Sequence, residues 1–405
     1  MSQFLKKILA AGRLVTSGRV GEATAAIQRA LAAGQPAPDA APSPGRAMVA
    51  AEHAHAAPSA DVSVVDAPSP VETTWIENLF GKEPAVVERP GESRFLESSF
   101  TCAAGTRTFK LFEPAGAGDT PRPLVVMLHG CTQSPDDFAA GTRMNELAGG
   151  QNVFVLYPAQ APRSNAHKCW NWFVPADQRR GDGEPALIAG MTRHVMQTHR
   201  IDPGRVFVAG LSAGGAMAAI LAREYPDLYA AAGIHSGVAP GIAHDVASAF
   251  TVMKSGPGTA SAWQTSLPAS LSLWPQPVAP TPDAALDALP AVPVIVFHGD
   301  ADSTVSSANG DAVIAAALAS AAAGTRDDSE GASATGQRKF RRSVWRADGS
   351  SAKAPSLAEQ WVVRGAPHAW SGGAAAGSYT DPAGPDASRE MLRFFLEHPR
   401  RSAKP

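Results

Sequence analysis

The stretch GLSAGG, Gly210 to Gly215, places one serine between glycines two residues to either side. It follows the apolar run Val206-Phe207-Val208-Ala209, of strand character, and precedes Ala216-Met217-Ala218-Ala219-Ile220-Leu221-Ala222, of helix character. A serine at so sharp a strand-to-helix turn adopts a strained backbone, and flanking glycines relieve the crowding side chains would cause there. Ser212 then holds its hydroxyl above the sheet edge. The Ala213 amide, at the positive end of the following helix, points to where an oxyanion would form. The serine pattern alone recurs by chance; its position between a strand and a helix marks it as a nucleophile rather than a small-residue turn.

A serine hydroxyl needs a general base, and at this kind of turn the chain order is serine, then an acid, then histidine. Past the Ser212 helix the histidines are His235, His244, His298, His368 and His398. His298 falls inside the apolar run PVIVFHGD and His398 in the last helical stretch, whereas His368 sits in GAPHAW, directly after the run EQWVVRG, and is the best base. The segment HGDADSTV offers Asp300 and Asp302. The arrangement HGxxDxxV favours Asp302 as the acid and leaves Asp300 to loop hydrogen bonds; loop capping is the alternative for Asp302 as well. After PLVVMLHG comes the loop Cys131-Thr132-Gln133, whose Cys131 amide is the candidate second oxyanion donor.

These residues require a scaffold of buried strands. The stretch FTCAAGTRTFKLFEP, residues 100–114, alternates like an antiparallel pair. Apolar runs at 123–130, 153–159, 205–211, 229–237, 293–300 and 359–365 read as strands. Helical patterns at 184–199, 213–224 and 388–398 lie between or after them. Apolar strands alternating with helices imply an α/β fold, a mostly parallel central sheet covered on both faces. Residues 240–291, rich in Pro, Ser and Ala, read as a cap or substrate loop, and residues 324–337 as a flexible surface loop.

The 405 residues carry a formal charge of -2, too weak a field to imply nucleic acid or an acidic membrane surface as partner. No apolar run is long enough to cross a bilayer. Residues 1–32 read as short N-terminal helices, residues 33–91 as a Pro/Ala/Ser-rich, largely disordered linker and lead-in, residues 92–398 as the catalytic domain and residues 399–405 as a tail. The start MSQFLKKILAAGRLV lacks an adequate secretory core, because Lys6 and Lys7 interrupt it. Its apolar face is either a bland appendage or an anchor to a hydrophobic polymer surface.

The motifs LHGCTQSPDDFAAGTRMNELA (128–148), CWNWF (169–173), RVFVAGLSAGGAMAAILA (205–222), FHGDADSTV (297–305), HAWSGG (368–373) and SYTDPAGPDAS (378–388) together resemble the polyhydroxyalkanoate (polyhydroxybutyrate) depolymerase family of α/β-hydrolase esterases. The resemblance extends over about 92–398. It implies an α/β-hydrolase fold and ester hydrolysis without cofactor or metal. It also implies Ser212 as nucleophile, Asp302 as acid and His368 as base, acting on an ester or polyester. The same family contains feruloyl and acetylxylan esterases, so the reaction is better defined than the substrate. Many members are secreted, which implies an extracellular location, cytoplasmic residence being the alternative.

Trp170, Trp172 and Trp370 are candidate substrate-binding residues, core packing being the competing role. Cys131 and Cys169 lie in loops at the same end of the sheet. A disulfide there would brace the oxyanion loop against CWNWF; two buried thiols are the alternative. A reading of a different class is a non-catalytic polymer-granule binding protein on a hydrolase scaffold.

Overall fold

Strand β3, Arg122–Leu128, shows why the central strands are continuously apolar. Successive side chains point to opposite faces. Leu124, Val126 and Leu128 join one buried cluster, and Val125 and Met127 another on the far side. A strand covered on both faces has no solvent side to alternate with.

The structure is a computed structural model that describes residues 92–116, 120–257, 291–319, 321, 323–350 and 354–400. The expected N-terminal helices, the linker and the middle of the expected cap lie outside the described residues.

The described elements run, in chain order, β1 (Arg94–Cys102), β2 (Gly105–Glu113), β3, α1 (Pro135–Thr142), α2 (Met144–Gly150), β4 (Phe154–Pro158), α3 (Gly183–Thr198), β5 (Ile201–Leu211) and α4 (Ala213–Glu224). They continue with β6 (Ala231–His235), α5 (Val246–Ser255), β7 (Val294–Gly299), α6 (Ala308–Leu318), β8 (Ala323–Ala332), β9 (Lys339–Ala347) and β10 (Ala358–Val363). The short strands β11 (Trp370–Ser371) and β12 (Thr380–Asp381) and the helix α7 (Ala387–Glu397) complete them. A 10-stranded sheet is ordered β1-β2-β4-β3-β5-β6-β7-β10-β9-β8. Its centre, from β4 through β3, β5, β6 and β7 to β10, is parallel. The antiparallel pairs lie at the two ends.

Residues of α3, α4, α5 and α6 fill the first cluster, and those of α1, α2 and α7 the second, so helices cover both faces of the sheet. In α7, Met391, Leu392, Phe394 and Phe395 are buried, while Arg393 is paired with Glu390 and Glu397 on the other side. This is the helical period that makes one stripe apolar. The fold is the α/β arrangement with a mostly parallel sheet that the strand and helix patterns imply, and it is the α/β-hydrolase fold that the resemblance implies.

One expectation is corrected. Residues 323–332 of the anticipated flexible loop form β8, paired residue by residue with β9 from Thr325↔Arg346 to Ala332↔Lys339. Its side chains from Gly324 to Glu330 are exposed, so no apolar alternation marks the strand. Backbone pairing with β9 holds it, and charged residues along an edge strand hinder pairing with another molecule.

Candidate active site

Ser212 stands between β5 and α4 with φ 58° and ψ −118°. This is positive-φ backbone that a non-glycine residue seldom adopts. Its amide donates to the His235 carbonyl at 2.9 Å, and its carbonyl accepts from Ala216 at 2.9 Å to start the helix. The flanking glycines are required by close approach. A β carbon at Gly210 would strike the Gly214 backbone, and one at Gly214 would strike the Leu128 carbonyl. A β carbon at Gly130 would lie 3.7 Å from the Ser212 β carbon, which sets the 129–133 loop beside the serine.

The second and third expected residues are in direct contact. His368 Nδ1 lies 2.7 Å from Asp302 Oδ2. The other carboxylate oxygen, Oδ1, accepts from the Thr304 and Val305 amides at 2.9 and 2.8 Å. His298 Nε2 lies 3.5 Å from Oδ2 and 2.9 Å from the Val305 carbonyl. Burial opposes the Asp302 charge, but hydrogen bonds from His298 and His368 and their charges outweigh it and hold the carboxyl well below the usual carboxylate range. A carboxylate so held keeps its charge and orients the imidazole.

Asp300 does something else. Its Oδ1 accepts from the Gly365 amide at 2.6 Å, and its Oδ2 lies 3.4 Å from Arg364, at the end of β10. It ties down the start of the loop that carries His368.

His235 connects the serine to the base loop. Its carbonyl accepts from Ser212, and its Nε2 accepts from the Ser371 amide at 3.0 Å. Its ring stacks on Trp370 with centroids 5.0 Å apart. On the other flank, His129 Nε2 accepts from the Gln160 amide at 3.1 Å, and its Nδ1 is 2.7 Å from the Gly130 carbonyl. Both rings therefore use one nitrogen as acceptor, which only the neutral imidazole allows. Burial, the largest cause in each case, pushes His129 down to about 4 and His235 down to about 3.

The unfolded chain takes up these two protons near pH 6.5. The native protein therefore binds fewer protons between the two values, and stability falls as pH falls. This contribution is complete above about pH 6.5, is lost as pH drops through 4 and towards 3, and declines by about 1.4 kcal/mol per pH unit per histidine within that window. Calorimetric melting across that range should show a steady fall in Tm with acidification; a flat profile would contradict neutral burial of both rings.

Cys131 and Cys169 form a disulfide with Cα atoms 4.2 Å apart, across a sequence separation of 38. It joins the oxyanion-side loop to the CWNWF segment, and a Thr132 amide bond of 2.6 Å to the His167 carbonyl reinforces the junction. Behind it, buried Glu184 accepts from the Asn171 amide at 2.7 Å and from Gln160, which also donates to the Cys169 carbonyl at 2.9 Å. Arg107 lies 3.7 Å from the same carboxylate. Nothing in local sequence singles out this network, because its members come from four separate segments. Replacing both cysteines with serine should lower stability by about 4 kcal/mol from loop entropy. It should also reduce turnover, because the Cys131 amide loses its brace. A paired melt and rate measurement checks this; unchanged kcat would mean the loop holds its shape without the bridge.

The Cys131 and Ala213 amides make no hydrogen bond to another described residue. The tryptophan expectations need correction. Trp170 is fully buried with its indole donating to the His129 carbonyl at 3.1 Å. Trp370 is buried, donates to Ser388 Oγ at 3.0 Å and packs edge-on against Phe138. Trp172 is buried beside Phe173. The rings of Trp170 and Trp370 are core, with their indole N–H groups already bonded inside the protein, and Trp172 packs edge-on against Phe173.

The chain is similar to known esterases in sequence. The family model described as esterase PHB depolymerase matches residues 107–340, more than half of the chain. The match includes Ser212 and Asp302; His368 lies beyond it, joined to Asp302 by its hydrogen bond. A poly(3-hydroxyalkanoate) depolymerase C of Paucimonas lemoignei is 37% identical over 190 residues, 46% of this chain and 42% of that protein. A feruloyl esterase B of Thermothelomyces thermophilus is 36% identical over 132 residues, 32% of this chain and 44% of that protein. The chain thus spans less than half the length of these curated relatives. Among solved structures, an acetyl xylan esterase from Aspergillus awamori superposes with a TM-score of 0.50 at 18% identity, covering 75% of this chain and 99% of that one, which bears on the fold.

Proposed function

Because this chain belongs to the esterase PHB depolymerase family, we propose that it is a serine carboxylic ester hydrolase acting on short-chain 3-hydroxyalkanoate esters. The observation that carries the reading is the 2.7 Å bond between Asp302 and His368, with Ser212 held in its left-handed turn by the same His235 that anchors the base loop.

In this mechanism Ser212 Oγ attacks the ester carbonyl as His368 Nε2 takes its proton. Asp302 holds the His368 tautomer and stabilises the imidazolium. The Ala213 and Cys131 amides receive the oxyanion; removing one such donor typically costs roughly 10²–10³ in rate. The tetrahedral adduct collapses, and the departing alkoxide takes the proton from His368. Water, deprotonated by the same imidazole, then attacks the acyl-enzyme and releases the acid.

The 37% identity to a poly(3-hydroxyalkanoate) depolymerase supports the polyester substrate. The 36% identity to a feruloyl esterase supports a second reading, a plant cell-wall ester. A panel of 3-hydroxybutyrate oligomers, methyl ferulate and acetylated xylan decides between them. The highest kcat/KM is expected on the oligomers. A preference for ferulate or acetylxylan replaces the substrate, and turnover of none of them returns the chain to a non-catalytic, polymer-binding reading.

A further inference from the structure

With the three tryptophans internal, the site needs another surface for the substrate chain beyond the reacting carbonyl. Among the described residues, the exposed large hydrophobic side chains are Leu96, on the sheet-edge strand β1, and Tyr379, which is 47% exposed. A lone exposed aromatic means little by itself. Three further observations single out Tyr379.

The first is place. The Tyr379 carbonyl accepts from the Trp370 amide at 2.7 Å, two residues after the base. Its hydroxyl lies 3.3 Å from Thr132 Oγ1, one residue after the oxyanion donor. Thr132 Oγ1 already donates to the Cys131 carbonyl at 2.6 Å, so Tyr379 is the donor of the pair. The ring thus bridges the loop that carries the oxyanion amide and the loop that carries the base, and stays open to solvent.

The second is strain. Tyr379 has φ 52° and Thr132 has φ 67°. Left-handed backbone is costly for a bulky residue and persists where the surroundings enforce it, most often at functional sites.

The third is enforcement. Gln133 Nε2 donates to the Ser378 carbonyl at 3.1 Å, and Asp137 accepts from the Ser378 amide at 2.8 Å and from its hydroxyl at 2.6 Å. Burial opposes the Asp137 charge, yet the Ser378 and Gln133 hydrogen bonds hold its carboxyl below the usual range. The residue before the ring is clamped to the oxyanion loop, and the ring itself is left outside the core.

We propose that Tyr379 is a substrate-binding residue whose ring packs against the methyl-bearing repeat units of an oligomeric hydroxyalkanoate ester, outside the reacting carbonyl. This deepens the esterase reading above and rests on it. An aromatic face offers a large contact area at small entropic cost, which suits an apolar, flexible chain.

The test compares wild type, Tyr379→Phe and Tyr379→Gly on p-nitrophenyl acetate and on a 3-hydroxybutyrate trimer, with melting temperatures alongside. Glycine suits the left-handed backbone, so it removes the ring without adding strain. For Tyr379→Gly the ratio of kcat/KM for trimer to that for acetate should fall about tenfold, with the loss in the trimer KM, as expected for removal of a partly buried aromatic contact. Tyr379→Phe should keep most of the ratio. An unchanged ratio in the glycine variant overturns the proposal, as does a loss shared equally by both substrates, which marks a structural role. Wild-type turnover of acetate without turnover of trimer overturns the proposal together with its substrate. Turnover of neither removes the esterase reading beneath it, and the proposal with it.

Discussion

Replacing Ser212 with alanine is expected to lower kcat on a short p-nitrophenyl ester by about 10⁴–10⁶, leaving a residue of activity from the oxyanion amides and substrate binding alone. The fold should survive. Alanine keeps the backbone amide bond to His235, and the side chain it loses makes no hydrogen bond to another described residue. The left-handed φ of 58° is no easier for alanine than for serine, so the strain is unchanged and Tm should shift little. His368→Ala should lose activity on the same scale. The two losses should not add in the double variant, because either change alone removes the attacking alkoxide. Full activity in Ser212→Ala, measured on protein free of contaminating esterase, would remove the nucleophile assignment. Activity lost together with a collapsed Tm would leave the double variant and a covalent phosphonate label on wild type to decide it; labelling at a residue other than Ser212 would refute it.

The second large effect separates two neighbouring carboxylates. Asp302→Asn is expected to cut kcat by about 10⁴. The Thr304 and Val305 amides both point at Oδ1, so the new amide side chain must place its oxygen there. Its NH₂ group then faces His368 Nδ1 and His298 Nε2, where the carboxylate oxygen had accepted. His368 would have to present a bare Nδ1 and carry its proton on Nε2, the nitrogen needed as base. Asp300→Asn should change kcat by no more than about threefold, since its amide oxygen can still accept the Gly365 N–H and a net hydrogen bond is worth little. Steady-state kinetics on the two purified variants settle the point; a larger loss at Asp300 than at Asp302 would reverse the assignment of the acid.

Much of this arrangement is legible in the chain. Ser212 announces itself because close approach of strand and helix demands glycine on both sides, a constraint visible in six residues. The runs VVML, VFVLY, RVFVAGL and VIVFHG announce a doubly covered sheet because burial on both faces leaves no polar alternation. His368 stands out because it follows the last parallel strand, and Asp302 because of its spacing from His298. The three tryptophans were legible only as large apolar residues. An aromatic in a motif has the same letters whether its ring faces a substrate or the core, and here contacts with His129, Ser388 and Phe138 took Trp170 and Trp370 inward, while Trp172 lies buried against Phe173. Residues 323–332 gave no signal either, since an edge strand is held by backbone bonds to its neighbour, and residues 324–330 are exposed.

What the sequence by itself determined is what local sterics and burial write into short stretches: the elbow at Ser212, the parallel core, and the chain order of serine, acid and base. Tertiary structure decided what depends on residues far apart in the chain. It gave Asp302 rather than Asp300 the bond to His368, because the 299–305 turn points one carboxylate inward and the other at Gly365. It joined Cys131 to Cys169 and set Tyr379 against Thr132, 247 residues away. Such pairings are fixed by where the sheet delivers the ends of its strands, and no local pattern of residue types records them.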